Sequence, residues 1–344
     1  MIEKIYNILF DAVENHKIPG ASYGLFKDNQ LKTGYVGFRQ LEPVKEKALG
    51  NEIYDVASLS KVISTTTLVL KMVELKKIKF DDQVVQYLPR FKHQDITIKD
   101  LLAHQSGLPA DIRNAKDLMN EQMVMDKIYD MDLVYQTKES IVYSDVGFIL
   151  LGKIVEVVSN ETLDVLANKL IFEPLGMKHT SYHPNKALCA PTEFRDDSVF
   201  KGLLKGLVHD EKAFALGGVS GHAGLFSTAY DIGLFMKAIL TNEFVLNEAS
   251  INFMFEPVIT KSVNDILVTR TYGWLKPYSG GIAGDYHDFN QTIGHTGFTG
   301  CHMFIDRKNQ IGFVLLSNAV HPKRSMNQIF SYRNVISNLI YKKR

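Results

Sequence analysis

The chain has 344 residues, of which 45% are hydrophobic and 22% charged, with a formal net charge of +1. This is enough for a large core and two subdomains, and the near-neutral charge gives no field that would favour nucleic acid or an anionic membrane. Two cysteines, Cys189 and Cys301, are too few for a disulfide framework and lack metal-ligand spacing.

Ile5, Leu9, Ala12 and Val13 mark an amphipathic opening helix. Its interspersed charges leave no apolar core of a signal peptide, and no later apolar run reaches the ~20 residues of a membrane span. A cytoplasmic location and the absence of a membrane span are therefore expected. Ala21–Phe26 and Tyr35–Phe38 read as a hairpin pair of strands.

Next comes Ser58-Leu59-Ser60-Lys61, opening an apolar run from Val62 to Leu75 without Gly or Pro. The run predicts a buried helix with Ser58 in its first turn, and positions three apart share a helix face. A serine hydroxyl becomes a useful nucleophile when a neighbouring base takes its proton, and a desolvated lysine is such a base. Taken alone the pattern is weak, and Ser58 reads more simply as a helix N-cap. Ser198-Val199-Phe200-Lys201 repeats it in a polar stretch with no helical pattern behind it, as chance would.

Helices are expected near 97–104, 119–130, 145–159 and 161–171, the third introduced by Tyr143-Ser144-Asp145. His179 and His183 lie four apart, but Pro184 makes a helical zinc pair a poor reading, and no metal or other cofactor is expected. Helices follow at 229–240 and 247–254, then strands from about 266 to 317 and a closing helix over 325–341. His295-Thr296-Gly297 precedes two alternating segments, 301–306 and 311–317. Lys32-Thr33-Gly34, Tyr286-His287-Asp288 and Tyr332-Arg333-Asn334 also fit motif letters, but each falls out of order. They read as a hairpin strand, a Gly-rich loop and the C-terminal helix.

The order Ser-x-x-Lys, then Tyr-x-Asn or Asp, then Lys or His-Thr-Gly resembles that of the penicillin-recognising serine hydrolases. A tyrosine opening the second motif places the likeness in the class C β-lactamase branch. The segments "ITIKDLLAHQSGLP", "PLGMKHT" and "LGGVSGHAGLFSTAYDIGLF" extend it from about residue 5 to residue 320. The resemblance implies an α/β (α+β) fold of the β-lactamase and DD-peptidase type, an antiparallel sheet flanked by helices with an inserted all-helical subdomain. Residues 1–79 and 216–344 would form the α/β part and 80–215 the insert, with the active site between them.

By the same resemblance Ser58 is the nucleophile, Lys61 and Tyr143 share the proton transfers, and His295 opens the third motif. Thr296 and Gly297 border the substrate, and the backbone N–H groups of Ser58 and Phe298 hold the oxyanion. Two residues depart from the pattern. Asp145 stands where β-lactamases of that branch carry Asn; a carboxylate cannot donate to a substrate carbonyl and should raise the pKa of Lys61. His295 stands in place of lysine, exchanging a fixed charge for one expected to titrate near neutrality. Both argue against efficient β-lactam hydrolysis.

The passage 201–227 resembles the muropeptide amidase and small penicillin-binding-protein branch, offering His209, Glu211 and His222 as substrate-binding residues. Without that likeness, the charged stretch His209-Asp210-Glu211 reads as a solvated loop. The function implied is hydrolysis, through an acyl-enzyme, of an amide in a small-molecule or peptide substrate derived from cell wall. A carboxylesterase of the same fold and a non-catalytic penicillin-binding sensor are the alternatives.

Overall fold

The computed structural model describes residues 1–342. The opening helix α1 (Ile2–Glu14) buries Ile5, Leu9, Ala12 and Val13, the predicted stripe. It packs on an antiparallel hairpin, β1 (Gly20–Lys27) and β2 (Gln30–Gln40), in which Gly20 pairs with Gly37 and Lys27 with Gln30. Lys32-Thr33-Gly34 lies in β2, as its hairpin reading required.

The main sheet is built from both ends of the chain. A two-residue strand β3 (Glu46–Lys47) edges β2, and β4 (Thr292–Gly297), β5 (Cys301–Asp306) and β6 (Ile311–Leu316) complete it in the order β4-β5-β6-β1-β2-β3. β6 joins β1 with Ser22 opposite Leu316. Every residue of β5 and β6 is buried, because helices cover both faces. On one face α1 and the C-terminal helix Phe330–Tyr341 meet Phe304, Phe313 and Leu315. On the other, helix Ala229–Leu240 contributes Ile232, Phe235, Met236 and Ile239 to the larger core. Each fully buried Leu, Ile or Phe contributes about 1.5–3 kcal/mol relative to exposure.

Between residues 80 and 215 the chain is mostly helix and loop, with a short hairpin of Phe194–Asp196 and Lys201–Leu203. The expected helices appear within a few residues: Ile98–Leu102, Glu121–Tyr129, Asp145–Ser159 and Leu163–Ala167. The closing helix begins later than expected, at Phe330, behind a single 3₁₀ turn at Arg324–Met326.

The apolar run after Ser58 departs from a regular helix. Lys61–Thr66 forms wide, π-helical turns before the α-helix Thr67–Glu74 begins. Such widenings frequently accompany functional sites. None of the described helices is long and apolar enough to cross a membrane.

Candidate active site

Three segments converge on Ser58. The first is its own approach. Ala57 has φ of +48°, in the left-handed region, where a non-glycine residue persists only when its surroundings fix it. Buried Asp55 supplies that restraint by accepting from Ala57 N–H at 2.9 Å and from His209 N–H at 2.7 Å. Ser58 itself is half-buried.

The second segment is the loop carrying Tyr143-Ser144-Asp145. Ser144 caps helix Asp145–Ser159 by accepting from Gly147 N–H at 3.2 Å, and its hydroxyl donates to the Pro109 carbonyl at 2.7 Å. His104 Nδ1 accepts from Ser144 N–H at 3.0 Å, which leaves the neutral imidazole protonated at Nε2. The His104 ring then packs on Tyr143, with centroids 4.7 Å apart. The segment "ITIKDLLAHQSGLP" thus acts by holding the second motif in place.

The third segment is the end of β4. Thr299, just past the motif, donates to the Asp55 carbonyl at 2.8 Å. A Cβ on Gly297 would come within 2.5 Å of the Val56 carbonyl oxygen, so glycine is what lets this strand press against the entry to Ser58. Neither Ser58 nor Phe298 spends its N–H on a backbone partner outside the regular elements.

At the centre, Lys61 is 0% exposed and donates to Ser58 Oγ at 3.0 Å and to the His222 carbonyl at 3.0 Å. Its ammonium lies 2.7 Å from Asp145 Oδ1 and 4.9 Å from the centroid of the Tyr143 ring. Burial works against the Lys61 charge, but Asp145 and Tyr143 outweigh it and raise the pKa. The close approach of Gly221 to the Phe148 carbonyl places the His222 backbone here; any side chain at 221 would collide with that oxygen.

Asp145 is held by two cations. Its Oδ2 lies 3.3 Å from Lys212 Nζ, and the Lys212 ammonium also meets Asp111 at 2.8 Å and Asp210 at 3.0 Å. Burial disfavours the Asp145 carboxylate, yet Lys61, His222 and Lys212 together hold its pKa below the ordinary range. His222 Nε2 meets Asp210 Oδ1 at 2.7 Å. Asp145, Asp210 and His222 present ligand atoms within 4.8 Å of one another, close enough for a metal, but Lys61 and Lys212 already neutralise these carboxylates.

Two expectations are corrected. The stretch His209-Asp210-Glu211 is not a solvated loop. His209 is buried, joined to Glu193 at 2.9 Å and stacked on Phe298, while Asp210 caps the short helix Glu211–Ala215 through Ala213 N–H. Glu211 pairs with Arg324 at 2.8 Å. The chance reading of Ser198 and Lys201 holds: Lys201 is exposed and faces Asp196.

The second correction concerns His295. Its Nδ1–H donates to the Thr296 carbonyl at 2.8 Å, and its Nε2 is buried without a protein partner. Burial first, then the charges of Arg270 and Lys61, push its pKa down to about 3 instead of leaving it near neutrality. The unfolded chain takes up this proton near pH 6.5 while the folded protein does not. The stability due to the neutral ring is complete above that pH and is lost as pH falls toward about 3. Nitrogen NMR should therefore find a neutral His295 imidazole from pH 5 to 8; a midpoint between 6 and 7 would contradict the burial seen here.

A cavity of about 340 Å³ opens over Ser58, with Tyr143, Asp145, Lys212, Arg324 and Arg333 among its walls. Thr296, Gly297, His209 and Glu211 also border it, whereas His222 and His295 stand behind the wall. Arg333 is buried, with its Nη2 on the Cys301 carbonyl at 3.0 Å and its Nε unpartnered. Arg324 and Arg333 thus bring guanidinium groups to this wall, Arg324 already paired with Glu193 and Glu211. Arg333 sits in the out-of-order Tyr332-Arg333-Asn334, whose letters do not reveal that its side chain is buried at the cavity. Buried Arg270, 5.2 Å from the Tyr143 ring centroid, carried no sequence signal.

A serine hydrogen-bonded to a buried lysine, under a cavity bordered by a tyrosine and a strand end, is the arrangement of an acyl-transfer hydrolase. The chain belongs to the beta-lactamase family, whose model matches residues 7–335. It is 32% identical to the "Putative D-alanyl-D-alanine carboxypeptidase" of Escherichia coli (strain K12), over 91% of this chain and 82% of that one. It is 31% identical to the N-acetylmuramyl-L-alanine amidase of Bacillus subtilis (strain 168), over 88% and 78%. Its fold matches the octameric penicillin-binding protein homologue from Pyrococcus abyssi with a TM-score of 0.79 and 21% identity, covering 99% of this chain and 78% of that one.

Proposed function

We propose that the protein hydrolyses an amide bond in a cell-wall-derived substrate, a muropeptide or D-alanyl peptide, through an acyl-enzyme on Ser58. The observation that carries this reading is the 3.0 Å contact between Ser58 Oγ and a fully buried Lys61. Ser58 Oγ bonds to the substrate carbonyl carbon while its proton passes to the Lys61–Tyr143 pair. The C–N bond then breaks, and the pair gives a proton to the leaving amine. Water then adds to the ester carbonyl as the pair takes one of its protons, the C–Oγ bond breaks, and the pair passes that proton to Ser58 Oγ. The Ser58 and Phe298 N–H groups stabilise the oxyanion in both halves; losing one such donor typically costs about 2.7–4 kcal/mol of barrier.

Substrate class follows from the cavity walls and from the relatives. Arg333, whose Nε has no protein partner, suits a carboxylate, a group present on peptide ends and lacking in simple acyl esters. Relatives named for carboxypeptidase and amidase activity point the same way. The test compares hydrolysis of muropeptides, D-alanyl-D-alanine peptides and p-nitrophenyl butyrate by the same preparation. Turnover of one of the first two, with the ester slow, is expected. Fast ester turnover with both wall substrates untouched would favour the carboxylesterase reading instead.

A further inference from the structure

Lys212 has no place in the motifs, yet its side chain is 2% exposed and lies between the catalytic elements. It starts from the helix Glu211–Ala215 and meets Asp111 at 2.8 Å, Asp210 at 3.0 Å and Asp145 at 3.3 Å. An ammonium has three N–H donors, and here three carboxylates face it. The two oxygens of Asp145 are divided, Oδ1 toward Lys61 and Oδ2 toward Lys212.

This division bears on the departure at the second motif. A lone carboxylate at position 145 would bind the Lys61 proton tightly and oppose its release. We propose that Lys212 is a positioning residue that makes Asp145 compatible with a lysine base, by engaging one carboxylate oxygen and so weakening the hold of Asp145 on the Lys61 proton. The inference rests on the Ser58–Lys61 reading above.

The surrounding charges set the sign. Facing Lys61 are Asp145 and Tyr143, with Arg270, His104 and His295 around the phenol. Facing Asp145 are Lys61 and Lys212, with Asp210 and His222 joined beside them. Asp111, Asp145 and Asp210 carry three negative charges, and Lys61 and Lys212 two positive ones. Without Lys212, Asp145 would face Lys61 as its one remaining cation, with the carboxylates of Asp111 and Asp210 no longer offset beside it. Lys61 would then hold its proton to higher pH, since an uncompensated neighbouring charge moves a pKa by about 1–3 units. A purely structural lysine would have no such effect on Lys61.

The experiment follows the rate of Ser58 labelling by a neutral fluorophosphonate across pH 5 to 10, which requires no knowledge of the substrate. Wild type, Lys212→Met, Lys212→Gln and Lys212→Arg are compared, each with a thermal melt to establish folding. Lys212→Gln is included because a methionine chain is poorly accommodated among three carboxylates. The acidic limb is expected to move up by about one pH unit in the Met and Gln variants, about tenfold slower labelling at a pH on that limb, and to return toward wild type with Arg. In an Asp145→Asn background, the shift caused by Lys212→Gln should fall by more than half. A folded Lys212→Gln variant with an unmoved limb and uniformly slower labelling would make Lys212 structural only. Wild type that is never labelled at Ser58 would instead overturn the lysine-activated serine itself, and this inference with it.

Discussion

Ser58→Ala is expected to abolish turnover, by at least about 10³-fold in kcat, while leaving the fold intact. Members of a catalytic set act as a unit, so removing the nucleophile leaves only what binding and the oxyanion donors provide. The stability change should stay within about 1 kcal/mol, because the hydroxyl is half-buried and its one side-chain partner, Lys61, keeps Asp145 and the His222 carbonyl. Steady-state hydrolysis and a thermal melt on the same preparation check both halves. Near-wild-type turnover would remove Ser58 from the chemistry, and a collapsed melt would make the activity loss uninformative.

Lys61→Ala should cost a comparable factor in activity and destabilise the protein as well, and this contrast is itself diagnostic. Its ammonium is 0% exposed and meets Ser58, Asp145 and the His222 carbonyl. Removing one partner of a buried ion pair typically costs about 3–5 kcal/mol. The loss should fall below that range, because Lys212 still engages Asp145, whose side chain is 18% exposed. Denaturant melts of both variants provide the comparison. Lys61→Ala as stable as Ser58→Ala would mean that the Lys61–Asp145 pair contributes nothing net to folding.

Local pattern carried far in this chain because its elements obey their periods. The α1 stripe, the 20–40 hairpin and helices Asp145–Ser159 and Ala229–Leu240 follow directly from the spacing of apolar residues. The three motifs could be ordered because each opens or closes such an element. Charge was harder to place. A sequence does not tell whether His295 is open to water or closed off beside Arg270 and Lys61, and that difference moves its pKa from near neutrality to about 3.

The stretch His209-Asp210-Glu211 misled for a related reason. It looks solvated until Asp55, Glu193 and Arg324 are brought against it from distant parts of the chain. Arg333 was hidden differently, since a helical arginine near a C-terminus ordinarily faces water, whereas this one lies under Gly297 and Cys301. The π-helical widening after Ser58 left no trace either, because an apolar run does not reveal its hydrogen-bond register.

The most direct test of the account is to find where a covalent probe attaches. The protein is incubated with a fluorophosphonate and digested, and the peptides are mapped by mass spectrometry. A single adduct on the peptide containing Ser58, absent from Lys61→Ala at the same pH, is the predicted result. Labelling elsewhere, on Ser198 for instance, or equal labelling of Ser58 without Lys61, would contradict a serine whose proton is taken by the buried lysine beside it.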